Sequence, residues 1–455
     1  MVLAQFCHVV EGIPVVKIEF STFFVEHGGI AGAFHALYRT VIRSDFVRKV
    51  AETFATRILL IGIGLISSVI VARILGPEGL GLYTVAVVIG VIGVQFANLG
   101  LHASNTFYVA RDRKLLPSLV GNTLVVSFVF GGTGAALTMV IFYMWPELSP
   151  IDGPLLILSL LWIPFGLAYM LLQNLLLGIQ EVHTYNKIEL TNKMLAVSFI
   201  CLLIMVGAVT VETIYSVSLI ALIASFIWIL RQLKGHIHCF LTPSFALFKD
   251  SLCYGFKAYI SDFAALMIQR MDLLMINYYL GIKQAGLYSI AVGLTGMLFL
   301  FPIIVGTIAF PKLCAMREWH QRLKYTRKIV RVMVVIIIPL IIIIFFMAEF
   351  IITTLYGSNY AASANALVWF LPGFFVWSIE VMYRKLLISI DYPAAIAWGW
   401  IGAFCLNIVL NVVLIQHYGI KGAAAASSLT YFVVASVTIF LLSRFSQKSK
   451  DGVWI

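Results

Sequence analysis

Residues 75–83, LGPEGLGLY, return 205 positions later as residues 280–288, LGIKQAGLY. Each copy lies between two long apolar stretches of the chain. The glycines therefore fall at a turn between membrane spans, where they predict a positive φ or a close backbone approach. This repeat indicates that one membrane unit is duplicated within the chain. Two such units, each a bundle of membrane helices, are a common architecture for carriers.

The composition excludes a soluble domain. Of 455 residues, 61% are hydrophobic and only 11% are charged, and the mean hydropathy is +1.00. So few charges cannot cover the surface of a soluble chain of this length. The formal charge of +11 is spread over short loops, as membrane orientation requires, and is not gathered in a domain that would bind nucleic acid.

Twelve stretches have the roughly 20 apolar residues needed to cross about 30 Å of hydrocarbon. They form two sets of six: 53–75, 79–101, 118–144, 154–178, 189–210 and 213–232, then 251–280, 285–310, 328–348, 364–389, 393–416 and 421–444. Because each set is even in number, both halves enter the membrane the same way up. The sequence thus predicts an all-α polytopic membrane protein with two parallel six-helix repeats.

Loop charge gives the orientation and the boundaries. Basic residues alternate from loop to loop, so the positive-inside rule places both termini in the cytoplasm. The predicted units are a first bundle, a cytoplasmic linker, a second bundle and a cytoplasmic tail, at 46–235, 236–250, 251–445 and 446–455. Residues 1–45 are too polar for a span, and are either an amphipathic extension or a mis-called start.

The seventh span carries most of the charge inside the membrane. Lys257, Asp262, Arg270 and Asp272 lie within one predominantly apolar stretch. An ionisable group at the centre of a span costs about 2.5–3.5 kcal/mol on insertion scales, so each needs a partner or a hydrated cavity.

The repeat offset pairs these charges with those of the first span. It maps Lys257 onto Glu52 and Asp262 onto Arg57. In one interpretation, Arg57–Asp262 and Glu52–Lys257 are ion pairs that hold one face of the carrier closed. In the other, Arg57, Lys257 and Arg270 line a cationic cavity for an anionic substrate. The two interpretations are compatible, since a gate can open into the cavity that it guards.

The acidic residues are the candidates for gating or for binding a coupling ion: Glu52, Asp262, Asp272 and Glu380. Glu380 lies in the tenth span, deeper than Arg384 and Lys385, which we interpret as snorkelling anchors at the interface.

Other polar residues have less specific interpretations. Gln95, Asn98 and His102 recur at helical spacing on the second span, facing either a hydrated cavity or another helix. Glu189 and Lys193 have the spacing of an i,i+4 ion pair.

A basic stripe lies in the segment 311–331. Arg317, Lys324, Lys328 and Arg331 recur at helical steps. This pattern predicts an amphipathic helix on the cytoplasmic leaflet. Orientation and contact with anionic lipid are favoured as its role over specific recognition of a substrate phosphate.

Motifs of enzymes are absent from the sequence. It has no HExxH, GxSxG or GxxxxGK[ST] pattern and no His/Cys spacing typical of a metal site. A membrane polymerase or glycosyltransferase would be expected to have a long external loop or an acidic catalytic cluster, whereas the longest external loops of this sequence are short. The sequence therefore predicts neither catalysis nor a cofactor nor a metal.

With these residues in view, the chain resembles the polysaccharide-transporter branch of the multidrug/oligosaccharidyl-lipid/polysaccharide exporter superfamily. It is most similar to the Wzx-type flippases of O-antigen and capsule repeat units. The resemblance covers residues 46–445 and rests on motifs at 72–83, 270–288 and 418–424. These motifs mark helix turns and packing and do not specify a sugar.

The resemblance implies a V-shaped carrier of the MATE-like type. Its cargo would be a polyprenyl-pyrophosphate-linked glycan, moved across the cytoplasmic (inner) membrane by alternating access with H⁺ or Na⁺ as the coupling ion. Cationic residues of the cavity would meet the pyrophosphate, and charge and depth place this role at Arg57, Lys257 and Arg270. A polysaccharide polymerase and a chain-length regulator are the implied protein partners.

Two other cargoes remain open within the superfamily. A lipid II flippase is the nearer alternative in function, although those flippases resemble a fourteen-span plan that this chain lacks. A multidrug or cation antiporter is the other alternative, and it would be expected to have a mainly acidic and aromatic cavity.

Overall fold

The computed structural model describes residues 45–237, 241–316, 318–390 and 394–450. The predicted extension at 1–45 lies outside the described residues except for Asp45. The described α-helices are α1 (Asp45–Asn98), α2 (Leu101–Arg111), α3 (Leu116–Val125), α4 (Gly131–Met144), α5 (Gly153–Gly178), α6 (Val182–Val206), α7 (Val211–Lys234), α8 (Phe245–Leu280), α9 (Ile282–Ala315), α10 (Trp319–Tyr356), α11 (Ser363–Ile388), α12 (Ala394–Tyr418) and α13 (Ile420–Lys450).

The helices confirm a polytopic all-α membrane protein. In the described part of the chain, ten helical segments are long and apolar enough to cross a membrane. One of these is the 47-residue segment Glu52–Asn98, which a break at Gly76 divides into two crossings. Helix α8 is not one of these ten segments. It is long enough to cross a membrane, at 36 residues, but it contains several charged and polar residues, which lower its mean hydropathy. Each of the twelve predicted stretches overlaps a described helix.

The repeated turn has the same backbone in both halves. Gly76 has φ 67° and ψ 178°, and Gly281 has φ 87° and ψ 170°. Residues with a Cβ rarely adopt such a positive φ. The prediction that these glycines make tight turns is confirmed.

The second pair of glycines in the repeat brings the two halves together. A Cβ on Gly81 would collide with the carbonyl oxygen of Ile282, and a Cβ on Gly286 would collide with that of Pro77. Glycine is needed here because two backbones touch. The turn of each half therefore packs directly against the turn of the other.

The apolar core is likewise divided between two bundles that meet at the repeated turns. Helices α1–α7 form a first bundle with its own apolar cluster, which includes Leu172 and Ile229. Helices α8–α13 form a second bundle, whose cluster includes Phe374 and Trp377. A third cluster contains residues of both bundles at the repeated turns. We call the end of the molecule with the repeated turns the turn end, and the opposite end, which carries the basic loops, the basic end.

The basic stripe does not form a separate surface helix. Helix α9 continues to Ala315 and α10 runs unbroken from Trp319 to Tyr356. Lys324, Lys328 and Arg331 therefore occupy the first turns of a membrane span, and Arg317 lies outside the described residues. At about 1.5 Å per residue the 38-residue helix exceeds the hydrocarbon thickness, so its basic turns can extend beyond it.

Candidate functional site: the interface between two bundles

Arg57 is bound within the first bundle. Its Nη1 donates to Oε1 of Glu189 at 2.6 Å, and its Nη2 donates to the hydroxyl of Tyr185 at 3.2 Å. The Arg57 side chain remains 36% exposed. The predicted Arg57–Asp262 ion pair is wrong for this conformation, because α6 supplies a carboxylate to Arg57 from the same bundle. The predicted Glu189–Lys193 pair is likewise replaced by Arg57–Glu189.

Glu52 also faces α6. Its Oε1 lies 2.8 Å from Nδ1 of His183, and one turn away Asn186 donates to Thr53 Oγ1 at 3.1 Å. The predicted partner, Lys257, has a side chain that lies outside the described residues. The structure thus gives Glu52 a partner in its own bundle, and the Glu52–Lys257 pair stays a prediction.

Asp262 lies where the bundles meet. Its Oδ2 is 3.8 Å from Nε2 of His102, while Nδ1 of His102 accepts a hydrogen bond from the side-chain nitrogen of Asn98 at 2.7 Å. A neutral His102 therefore carries its proton on Nε2, facing Asp262. The polar stripe on the second span thus contributes His102 to an interface between α2 and α8, and Asn98 at the end of α1 bonds to His102.

Aromatic side chains close the interface at its basic end. The ring of Phe107 stacks on that of Tyr254 with centroids 4.2 Å apart, and the Tyr259 hydroxyl donates to the carbonyl of Phe96 at 3.2 Å. The backbones of Gly100 and Gly255 also touch. We refer to these as the basic-end contacts. Sequence reasoning missed them, although the cluster Tyr254, Phe256, Tyr259 and Phe263 at the start of α8 was a visible signal.

A second set of contacts closes the turn end. Arg73 donates to the carbonyls of Leu355 and Thr354 at 2.7 and 2.6 Å. The Tyr360 hydroxyl donates to the carbonyl of Ala72 at 2.7 Å. These bonds, together with the packed glycine turns, are the turn-end contacts. The two bundles therefore meet at both ends in this conformation.

Asp272 lies in the interior of the second bundle. It is 1% exposed and accepts hydrogen bonds from the Tyr288 hydroxyl, from Ser427 Oγ at 3.3 Å and from the Leu273 amide at 2.8 Å. Asp272 thereby connects α8, α9 and α13. Arg270 has a buried Nε with no hydrogen-bond partner among the described residues.

Glu380, on α11, is also buried in the interior of the second bundle. It is 2% exposed, pairs with Arg384 at 3.0 Å and accepts from Thr438 Oγ1 at 3.1 Å. Arg384 also lies over the ring of Trp400 at 5.4 Å. Arg384 thus turns towards the bundle interior, contrary to the predicted snorkelling anchor.

The two aspartates of α8 should differ in their effect on stability. We expect Asp272→Ala to lower the free energy of unfolding by about 3 kcal/mol, because it leaves buried hydrogen-bond donors unpaired, each costing about 1–3 kcal/mol. Asp262→Ala is the matched control, since its side chain is 57% exposed. Thermal unfolding in detergent would measure both. Equal midpoints for the two variants would contradict this difference.

Residues 70–365 match the family described as polysaccharide biosynthesis protein, which is more than half of the chain. The chain belongs to this family. It is 23% identical over 248 residues to a probable low-salt glycan biosynthesis flippase, Agl15, of Haloferax volcanii, covering 54% of this chain and 52% of that protein. It is also 24% identical over 203 residues to an uncharacterized membrane protein, MJ1068, of Methanocaldococcus jannaschii, covering 44% and 40%. The chain spans about half the length of these curated relatives.

Solved structures with a similar fold cover almost the whole chain of this family member. The lipid II flippase MurJ in an inward closed conformation has a TM-score of 0.71 at 16% identity, covering 87% of both chains. An inward-facing multidrug resistance transporter of the MATE family has a TM-score of 0.68 at 15% identity, covering 87% of this chain and 96% of that one. These likenesses establish the fold, two helical bundles, for almost the whole chain.

Proposed function

We propose that the protein flips polyprenyl-pyrophosphate-linked oligosaccharide units from the inner to the outer leaflet by alternating access. The observation that carries this proposal is a two-bundle transporter fold in a chain of a polysaccharide biosynthesis family. The name of the Haloferax relative, a probable glycan biosynthesis flippase, points to the same class of cargo.

The chemistry of the cargo requires a path of this kind. A pyrophosphate and several sugars cannot enter hydrocarbon without losing their hydration. A hydrated path between two bundles keeps these groups solvated while the lipid tail remains in the bilayer. Small conformational steps at the two ends then decide which leaflet the path faces.

Arg57 is the strongest candidate to bind the pyrophosphate. Its guanidinium is already held by a carboxylate oxygen, at 2.6 Å, and phosphate oxygens suit the same planar fork. An incoming pyrophosphate would displace Glu189 and take its place. Arg270, with its buried unpaired Nε, and Lys257 complete the proposed cationic set.

The carboxylates are proposed to link this movement to an ion gradient of H⁺ or Na⁺. Asp262 is the best placed of the four candidates, because it lies beside His102 where the two bundles meet. Glu52 is bound to His183, and Asp272 and Glu380 are bound inside the second bundle. These three would act by changing how their helices pack.

The proposal includes a cellular setting. It places the protein in the cytoplasmic membrane with its basic end and both termini in the cytoplasm, where the positive-inside rule puts basic loops. A polysaccharide polymerase and a chain-length regulator would act on the flipped units during synthesis of O-antigen, capsule or exopolysaccharide.

The function is tested by the sidedness of the glycan. Proteoliposomes would contain the full chain and a polyprenyl-pyrophosphate-linked oligosaccharide, and an impermeant sugar-modifying enzyme would be added outside. We expect protein-dependent modification of the protected inner pool. Movement of lipid II alone would instead support the lipid II alternative, and cation efflux without glycan movement would support the antiporter.

A further inference from the structure

An apolar groove runs along the outer side of the second bundle, between α10 and α11. Its volume is about 490 Å³. Ile342, Phe345 and Trp369 are about half exposed there, at 50%, 52% and 51%. The lining includes Ile338, Ile342, Phe345, Trp369, Pro372 and Phe375. In a membrane this groove opens to the hydrocarbon and would be filled by an apolar chain.

The basic stripe leads directly into the groove. Lys324, Lys328 and Arg331 are followed at the next helical steps by Val335 and Ile338, so that all five lie on one line along α10. Arg331 and Ile338 are seven residues apart, which is about 10 Å along the helix. The same side of one helix is thus cationic at the basic end and apolar at mid-membrane.

These cations are available to a ligand. Lys324, Lys328 and Arg331 are exposed, and no described carboxylate lies within ion-pair distance of them. Their neighbour Arg322 differs, because it donates to the carbonyls of Met316 and Ser389 at 2.7 and 3.0 Å. The stripe therefore has unpaired positive charge at the level of an anionic headgroup.

Helix α10 also contacts the first bundle. At the turn end, α10 meets α1 through the bonds from Arg73 to Leu355 and Thr354 and through Ser68 and Tyr356, whose hydroxyls are 3.0 Å apart. Helix α10, which carries one wall of the groove, therefore also takes part in the contact between the two bundles at the turn end.

We propose that the groove and the basic stripe form a docking track for the polyprenyl phosphate portion of the cargo. The isoprenoid tail would occupy the groove, and the phosphates would contact Lys324, Lys328 and Arg331. The groove has room for an apolar chain, and the unpaired cations in line with it complement the phosphates of such an amphiphile. This inference names a tail subsite for the proposed flippase and rests on that function.

A photoreactive lipid tests the track. The full chain in phosphatidylcholine nanodiscs would be irradiated with a polyprenyl phosphate that carries a diazirine in its tail, and labelled residues mapped by mass spectrometry. We expect labels on the groove lining, which unlabelled polyprenyl phosphate removes and phosphatidylglycerol does not. Labels spread evenly around the bundles, or removed equally by phosphatidylglycerol, would overturn the proposal in favour of ordinary boundary lipid.

Two adjacent residues provide a matched pair of variants. Ile342 and Ile343 are similarly exposed, at 50% and 53%, but only Ile342 lines the groove. We expect Ile342→Trp to reduce labelling at least about fivefold, roughly 1 kcal/mol of binding, and Ile343→Trp to leave it unchanged. Equal labelling of both variants would overturn the proposal.

The stripe is tested by the headgroup. We expect Lys324→Gln/Lys328→Gln/Arg331→Gln to abolish the preference of the groove for polyprenyl phosphate over uncharged polyprenol. An unchanged preference would remove the stripe from the track. Flipping assayed on the same samples separates the two proposals: flipping without groove labelling refutes the track alone, and specific labelling without flipping of any glycan refutes the function alone.

Discussion

Arg57→Ala is expected to abolish glycan flipping in protein that still folds. In the first span, Arg57 is bound to a carboxylate and its side chain is still 36% exposed. Removing it takes away a charge-assisted bidentate site for phosphate, and a loss of about 3 kcal/mol in the rate-limiting step lowers the rate about a hundredfold. The sidedness assay measures the effect. Arg231→Ala is the control, since Arg231 is an exposed arginine of α7.

A charge swap separates substrate binding from a structural role. The variant Arg57→Glu/Glu189→Arg keeps an ion pair between α1 and α6 but moves the cation to the other helix. We expect normal thermal stability and no flipping. Restored flipping would show that Arg57 acts only by holding α1 against α6, and the proposed pyrophosphate site would then be wrong.

Gly286→Ala is expected to cause the second large effect, at the turn end. The added methyl group would collide with the carbonyl of Pro77, and overpacking of this kind costs about 1–3 kcal/mol or more. The cheapest relief is a separation of the two bundles at the turn-end contacts. We expect flipping to fall about tenfold or more, with the protein shifted towards a state open at the turn end.

The control for this variant lies two turns further along the same helix. Gly293 has open space around its missing Cβ, so Gly293→Ala should leave flipping unchanged. Reaction of a cysteine at Ser68 with an impermeant thiol reagent would report the opening, after the native cysteines are replaced. Wild-type flipping and thiol reactivity in Gly286→Ala would show that the close packing of the turns is not part of the transport cycle.

The repeated turn was predictable because its physics is local. A positive φ at Gly76 and Gly281 and close contact at Gly81 and Gly286 follow from glycine at fixed positions between apolar stretches. The span boundaries were predictable for a similar reason, since apolar length decides membrane crossing. Both features can be found without knowing which helices are neighbours.

The ion pairs were not predictable in the same way. The repeat offset relates Arg57 to Asp262 by symmetry, but equivalent residues of two repeats need not face each other. Arg57 instead meets Glu189, which is 132 residues away in sequence. Asp262 meets His102 of the other bundle, a contact that helical spacing within one span does not suggest. Contacts between distant helices depend on packing that periodicity alone does not specify.

Crosslinking combined with the sidedness assay tests the central claim, alternation between the two ends of one path, most directly. Cysteines would replace Phe107 and Tyr254 at the basic end in one variant, and Ser68 and Tyr356 at the turn end in another. A short reducible crosslinker in either variant should stop glycan flipping, and reduction should restore it. Full flipping with both ends crosslinked in a combined variant would contradict transport between the bundles.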